Sequence, residues 1–302
     1  MANRISADKQ ARILNMLVEG ASLRSITRIE SCSLHTVLRL VETAGKVCLD
    51  YHDQHVRDVP AQLVQCDEIW AFLYAKRKNV ESAKTPPAEA GDVWTWTAID
   101  SDSKLLISWL VSMSRDGDSA IELMDGLRAR TTGRFQLTTD GLNAYPEAVE
   151  GAFGGDVDFA QLIKIYAAAT PEEARRYSPA ECIDTRTEVI SGDPDERFIS
   201  TSYVERHNLT IRMSNRRFTR LTNAFSKKFA NHCYAQALYS VYYNFCRPHT
   251  TLTKNADGYK TTPAMAAGLT NSVYSIRWLS GLVTESMPKP GKRGPYKEKQ
   301  GA

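Results

Sequence analysis

Three acidic residues stand in positions where a carboxylate needs a reason to be. Asp67 lies inside the apolar, aromatic run LVQCDEIWAFLYA (63–75), where an unpaired charge is expensive to bury. Asp140 closes the run FQLTTD (135–140), and ligands of sheets with helical crossovers gather at such strand ends. Glu205 opens a helical pattern and is followed by His207, Asn208, Arg212, Arg216, Arg217 and Arg220. Hard carboxylate oxygens suit Mg²⁺, which keeps several waters and binds phosphate oxygens beside a few carboxylates. Two such ions activate an attacking oxygen on one side of a phosphorus and stabilise the leaving oxygen on the other. By position alone, the same acids also fit helix caps and turns.

Positive charge surrounds the last of them. Arg206, Arg212, Arg216, Arg217, Arg220, Lys227 and Lys228 occur between 206 and 228 without one intervening acid. Arg212 and Arg216 return close to the helical face of Glu205, where a phosphate backbone would have to lie. A solvated helix face is the commoner origin of such a run in general, but the scarcity of compensating acids counts against it here. Lys76, Arg77 and Lys78 would extend the same track.

These residues need elements to position them. At the N-terminus, Ile13, Leu14, Leu17 and Val18 mark an apolar helical face that Gly20 closes. Ser22 caps a second helix carrying Leu23, Ile26 and Ile29, and Ser33 caps a third that buries Leu34, Val37, Leu38, Leu40 and Val41. That is a helix-turn-helix pattern, with Ser33, His35, Thr36 and Arg39 at the start of a DNA-reading helix. A small oligomerisation module is the alternative. A polar connector, DYHDQHVRDVP, leads into strands at 63–75, 93–100 and 105–113, a helix at 116–130, and strands at 135–140 and 158–167. The segment from about 168 to 200 is polar, without periodicity, and reads as a long loop. Helical patterns follow at roughly 202–221 and 227–246, and the basic tail PKPGKRGPYKEKQGA reads as disordered.

The blocks QCDEIWAFLYAKRKN, TTDGLNAY and YVERHNLTIRMSNRRFTRLTNAFSKK, in this order, resemble the three catalytic blocks of the insertion-sequence-1 family of bacterial DDE transposases. The resemblance extends to the N-terminal helices and to NFCRPHTTL, and so covers most of the chain. It implies an α/β fold: a ribonuclease-H-like mixed five-stranded sheet flanked by helices, preceded by an all-α helix-turn-helix domain. The implied divisions are 1–50, 60–250 and a C-terminal extension at 251–302. Carried over residue by residue, Asp67, Asp140 and Glu205 match the metal-binding carboxylates. The implied activity is hydrolysis at transposon ends, then transfer of the freed 3′-hydroxyl into target DNA. The implied cofactor is two Mg²⁺ ions, with Mn²⁺ as a substitute, and the partners are double-stranded DNA and a second copy of the chain. A repressor-like DNA-binding relative and a nuclease without strand transfer are the alternatives. The chain departs from the family in lacking a cysteine-rich finger before the helices and in the length of 168–200.

Neighbouring acids are rivals. Glu68 adjoins Asp67, and strand alternation should turn it to the opposite face. Asp100 and Asp102 fit a hairpin turn, and Asp116 and Asp118 a helix cap. The bulk numbers narrow the class. A chain of 302 residues, 42% hydrophobic with a net charge of +3, suits a globular protein whose nucleic-acid footprint must be local. Its six cysteines form no CxxC pair and no zinc spacing. The polar N-terminus lacks an apolar signal core, and no run approaches a membrane span. A bacterial cytoplasmic protein is the expectation.

Overall fold

The computed structural model describes residues 5–167, 182–219, 222–254 and 258–288. Three N-terminal helices come first: α1 (Ala7–Val18), α2 (Leu23–Ile29) and α3 (Leu34–His55). Each begins at a serine whose hydroxyl accepts a backbone N–H: Ser6 from Lys9, Ser22 from Ser25 and Ser33 from Thr36. Caps of this kind are worth about 1 kcal/mol each. Gly20 takes φ +78° just beyond α1, and a Cβ there would lie 2.6 Å from the Met213 carbonyl oxygen. Both the conformation and the close approach call for glycine.

α3 runs past the point where the sequence suggests a connector. Val37, Leu40, Val41, Ala44, Cys48 and His52 form one buried stripe, so the polar look of DYHDQH belongs to the outer face of the same helix. His52 Nε2 lies 3.3 Å from the Leu106 carbonyl. Residues of α1 to α3 share one hydrophobic core with the sheet, from Ile13 and Leu40 through Cys66 and Trp96 to Phe159.

The sheet contains β1 (Leu63–Leu73), β2 (Gly91–Asp100), β3 (Leu106–Ser112), β4 (Phe135–Asp140), β5 (Val157–Tyr166) and β6 (Cys182–Ser191), in the order β3-β2-β1-β4-β5-β6. β1, β2 and β3 are antiparallel neighbours, β4 and β5 run parallel to β1, and β6 is antiparallel to β5. This is the mixed, helix-flanked sheet expected of a ribonuclease-H-like fold, with six strands rather than five. The extra strand comes from the segment that reads as a loop. β6 is exposed along nearly its whole length, so no buried face imposes the alternation that marks a strand. Residues 168–181, the remainder of that expected loop, and the basic tail lie outside the described residues.

Both faces of the sheet are covered. On one, Val64, Cys66 and Trp96 pack with residues of α4 (Gly117–Arg128) and α5 (Tyr145–Phe153). On the other, Ile69, Ala71 and Val93 pack with Ile211 of α6 (Ser202–Ser214) and Tyr239 of α7 (Phe229–Val241). α6 stops short of the expected 221 because Asn215 turns extended, and its side chain accepts the Arg217 N–H to start a short 3-10 turn. A wide turn, Tyr242–Cys246, follows α7. There Asn244 exchanges two hydrogen bonds with the Leu106 backbone, at 3.0 and 2.9 Å, and so covers part of the β3 edge. α8 (Pro263–Ala266) and α9 (Ile276–Ser286) follow, with Gln10 of α1 donating to the Ser280 carbonyl of α9 at 2.9 Å.

Gly45 is where α3 and α7 touch. A Cβ there would lie 2.2 Å from Tyr234 Cβ and 2.5 Å from its Cα. Alanine would gain roughly 1 kcal/mol of helix propensity, but overpacking against a backbone atom costs about 1–3 kcal/mol. Gly45→Ala should therefore lower the denaturation midpoint. An unchanged or raised midpoint would contradict this helix contact.

Candidate active site

β1 and β4 pair in parallel from Leu63–Gln136 to Cys66–Thr139. Pairing ends one residue before Asp67 and Asp140, so both acids stand where the strands part. Asp67, Glu68 and Asp140 each offer an oxygen, and these oxygens lie within 4.8 Å of one another.

Asp67 faces α6. Asn208 Nδ2 donates to Asp67 Oδ2 at 2.7 Å, and Thr97 Oγ1 donates to Asn208 Oδ1 at 3.1 Å. Glu68 faces α5, with its side chain fully buried. It accepts from the Tyr145 hydroxyl and, at 2.9 Å, from Arg115 Nε. Alternation therefore does separate the two neighbours, but it does not exclude Glu68 from the site. Asp140 terminates its strand in the opening and meets both sides. Arg115 bridges Glu68 and Asp140 at 2.8 and 3.1 Å, and the Leu142 N–H donates to Asp140 Oδ1 at 3.1 Å.

Glu205 lies in the first turn of α6, outside that tight group. Its carboxylate pairs with Lys164 of β5 and accepts from Thr201 Oγ1 at 2.5 Å, while its side chain is 42% exposed. Its charge still reaches the other acids. Burial, then repulsion from Asp140 and Glu205, pushes Asp67 up to about 6. Burial and Asp140 push Glu68 up to about 7. Asp140 is raised by burial and by Glu205, against the Leu142 N–H and Arg115. An all-oxygen donor set whose members repel one another is chemically suited to a hard divalent cation.

The other expected contacts sort by exposure. Arg206, His35, Arg39, Lys227 and Lys228 are exposed, and Thr36 is half-buried. Ser33 caps α3, so its hydroxyl serves the helix. His207, expected at DNA, is instead buried, 4.5 Å from the Tyr243 ring and near Tyr239. Burial lowers it to about 3, so it is a neutral core residue. Asn208, also expected at DNA, is buried and orients Asp67 instead. Arg212 donates to the Phe218 and Trp70 carbonyls at 3.2 and 3.3 Å, tying α6 and the turn after it to β1. Arg216 and Arg217 are half-buried, and Arg220 lies outside the described residues. Asp100 receives the Ser103 N–H at the β2–β3 turn, Asp102 is exposed beside it, and Asp116 caps α4.

Arg115, Tyr145 and Thr97 are site residues that sequence reasoning missed. Tyr145 lies within the TTDGLNAY block; Arg115 and Thr97 carry no local signal.

No protein-family model matches the chain, and no curated protein matches it. Among solved structures, a simian T-cell lymphotropic virus intasome in complex with PP2A regulatory subunit B56 gamma is similar at 12% identity, covering 97% of this chain and 80% of that chain, with a TM-score of 0.35. A piggyBac transposase synaptic complex with hairpin DNA is similar at 12% identity, covering 98% and 80%, with a TM-score of 0.36. Likenesses this shallow carry no weight for the chemistry.

The acid cluster has a thermodynamic signature. In an unfolded chain these carboxyls release protons at about pH 4. In the folded, metal-free site Asp67 keeps its proton to about 6 and Glu68 to about 7. The folded state therefore binds more protons across that window, and stability should fall as pH rises through it. Glu68→Gln should be more stable than the unsubstituted protein at pH 8, by on the order of 2 kcal/mol, since each tenfold change in a group's acidity is worth about 1.4 kcal/mol. At pH 5 the gain should be smaller. Denaturant melts in chelator at the two pH values measure this. A Glu68→Gln chain with no such gain would show that Arg115 and Tyr145 already neutralise the cluster.

Proposed function

We propose that this chain is a DNA transposase whose site is built on Asp67, Asp140 and Glu205. The convergence of Asp67 and Asp140 at the parting of parallel strands, with Glu205 near enough to raise both, carries the reading. Asp67, Glu68 and Asp140 would hold a divalent metal, and Glu205, in the first turn of α6, would be the further carboxylate beside them. Mg²⁺, or Mn²⁺ in its place, supplies positive charge to phosphate oxygens and lowers the pKa of water. In the hydrolytic step a water oxygen attacks the phosphorus at the transposon end and the P–O3′ bond breaks. The leaving 3′-oxygen takes a proton. That 3′-hydroxyl then attacks a target phosphorus, and the target's own P–O3′ bond breaks.

The chain's residues have separate tasks here. Asn208, itself fixed by Thr97, aims Asp67. Arg115 pairs with both Glu68 and Asp140 and offsets part of their charge. Arg206, Lys227 and Lys228 offer exposed charge to the phosphate backbone, which positions DNA without reading it. His35 and Arg39 on α3 are the base-reading candidates. Holding two transposon ends for joining requires at least two copies of the chain.

Asp67→Asn, Asp140→Asn and Glu205→Gln should each abolish cleavage and joining of an end-bearing donor and a supercoiled target in Mg²⁺, with DNA binding kept. Cut products without joined ones from the unsubstituted protein would make it a nuclease. Retained strand transfer by any variant removes that residue from the site. Removing residues 1–50 would sever α3 within its buried stripe, so specificity is better tested by His35→Ala with Arg39→Ala. That pair should lose preference for the ends and keep salt-sensitive binding to any duplex. Undiminished end preference would rule out α3 as the reader.

A further inference from the structure

A cleft of about 810 Å³ lies between the helix-turn-helix and the segment joining α6 to α7, within the size range of small-ligand sites. Arg24, Arg216, Arg217, Lys227 and Lys228 line it, and no acid among the described residues does. Its opposite character is just as distinct. Leu17, Val18, Leu38, Val41 and Leu238 supply an apolar floor. Phe225 lines it too, half-buried and packed at 5.0 Å against Phe72.

Three residues of its lining each carry a buried polar atom without a hydrogen-bond partner among the described residues: Arg216 at Nε, Thr222 at Oγ1 and Tyr239 at its hydroxyl. Buried polar groups of this kind are normally satisfied, so three around one cleft point to a ligand that supplies acceptors. Cations call for an anion, and an apolar floor with an aromatic ring calls for a flat, weakly polar body. One chemical unit has both halves.

We propose that this cleft holds a single unpaired nucleotide, its phosphate at the cationic rim and its base on the apolar floor beside Phe225. Arg216 Nε and the Thr222 hydroxyl donate to phosphate oxygens, and the Tyr239 hydroxyl donates to a base or sugar acceptor. A paired duplex cannot enter, because its bases are stacked and its polar edges paired. Nucleotides without pairing partners stack readily on aromatic side chains. The site extends the DNA-handling part of the proposed function and is independent of the carboxylate chemistry.

Fluorescence of 2-aminopurine tests this with the full chain in chelator, where no cleavage occurs. The probes are 2-aminopurine deoxynucleoside monophosphate, a single-stranded oligonucleotide containing it, and the same oligonucleotide fully paired. Quenching is expected with the first two and not the third. If the oligonucleotide binds far more tightly than the monophosphate, the natural ligand is an unpaired base in a strand; comparable affinities indicate a free nucleotide. Leu38→Trp, which fills the floor, should weaken probe binding at least tenfold, and Tyr239→Phe several-fold, both with duplex affinity unchanged. Asp67→Asn should bind the probe normally, so failure of the transposase reading would not look like failure here. Equal quenching by the paired oligonucleotide, displacement by inorganic phosphate as effective as by unlabelled nucleotide, or normal binding by both cleft variants would overturn the proposal.

Discussion

Mutual repulsion among three carboxylates at the parting of β1 and β4 is the constraint around which the rest of the molecule is arranged. Two charges about 5 Å apart in an effective dielectric of 20 repel by roughly 3 kcal/mol, and burial adds to that cost. Nothing in a compact domain gathers such groups unless neighbouring elements hold them. Parallel strands require a crossover of a dozen residues or more, which here consists of β2, β3 and α4. That crossover delivers Arg115 to Glu68 and Asp140, and Thr97 to the group that orients Asp67. The same connection that makes β4 a neighbour of β1 thus brings the charge that makes the arrangement tolerable.

α6 divides its short sequence among several tasks. Val204 and Ile211 are buried against the sheet and its covering helices, His207 fills the space between Tyr239 and Tyr243, and Asn208 turns to Asp67. Glu205 and Asn208 are three residues apart and so share a helical face. Glu205 also sits at the helix N-terminus, where the dipole favours negative charge. Its pairing with Lys164 of β5, rather than with the acid cluster, keeps a further negative charge out of the tight group.

Much of this is legible in the sequence because burial writes periodicity. The serine caps at 22 and 33, the three antiparallel strands and the strand ending at Asp140 all carry local signals, and the structure has each of them. β6 does not, because a strand exposed on both sides has no reason to alternate. The end of α3 is obscured because its buried stripe continues beneath a polar outer face. Glu68 misleads for a different reason. Alternation fixes the face toward which a side chain points, but at a strand opening an acid from the next strand can meet both faces. The basic run after Glu205 reads as one phosphate track, yet His207 and Asn208 point inward and Arg212 bonds to backbone carbonyls. A run of charged and polar types reports composition; only packing decides which members face solvent.

The long third helix changes how DNA reading and chemistry can be related. Were the N-terminal helices joined to the sheet by a flexible connector, bound DNA could present itself to the carboxylates in many orientations. α3 instead spans 22 residues without a break, about 33 Å at 1.5 Å per residue. Its exposed start carries His35 and Arg39, and its later turns are buried with the sheet. The contact of Gly45 with Tyr234 fixes the helix against α7, whose preceding residues Lys227 and Lys228 line the basic cleft. Under the proposed function, a duplex engaged by the start of α3 would be held at a set distance and angle from Asp67 and Asp140. Positioning of that kind lowers the entropic part of a reaction barrier, and in the proposed reaction it would come from helix packing rather than from contacts at the reacting phosphorus.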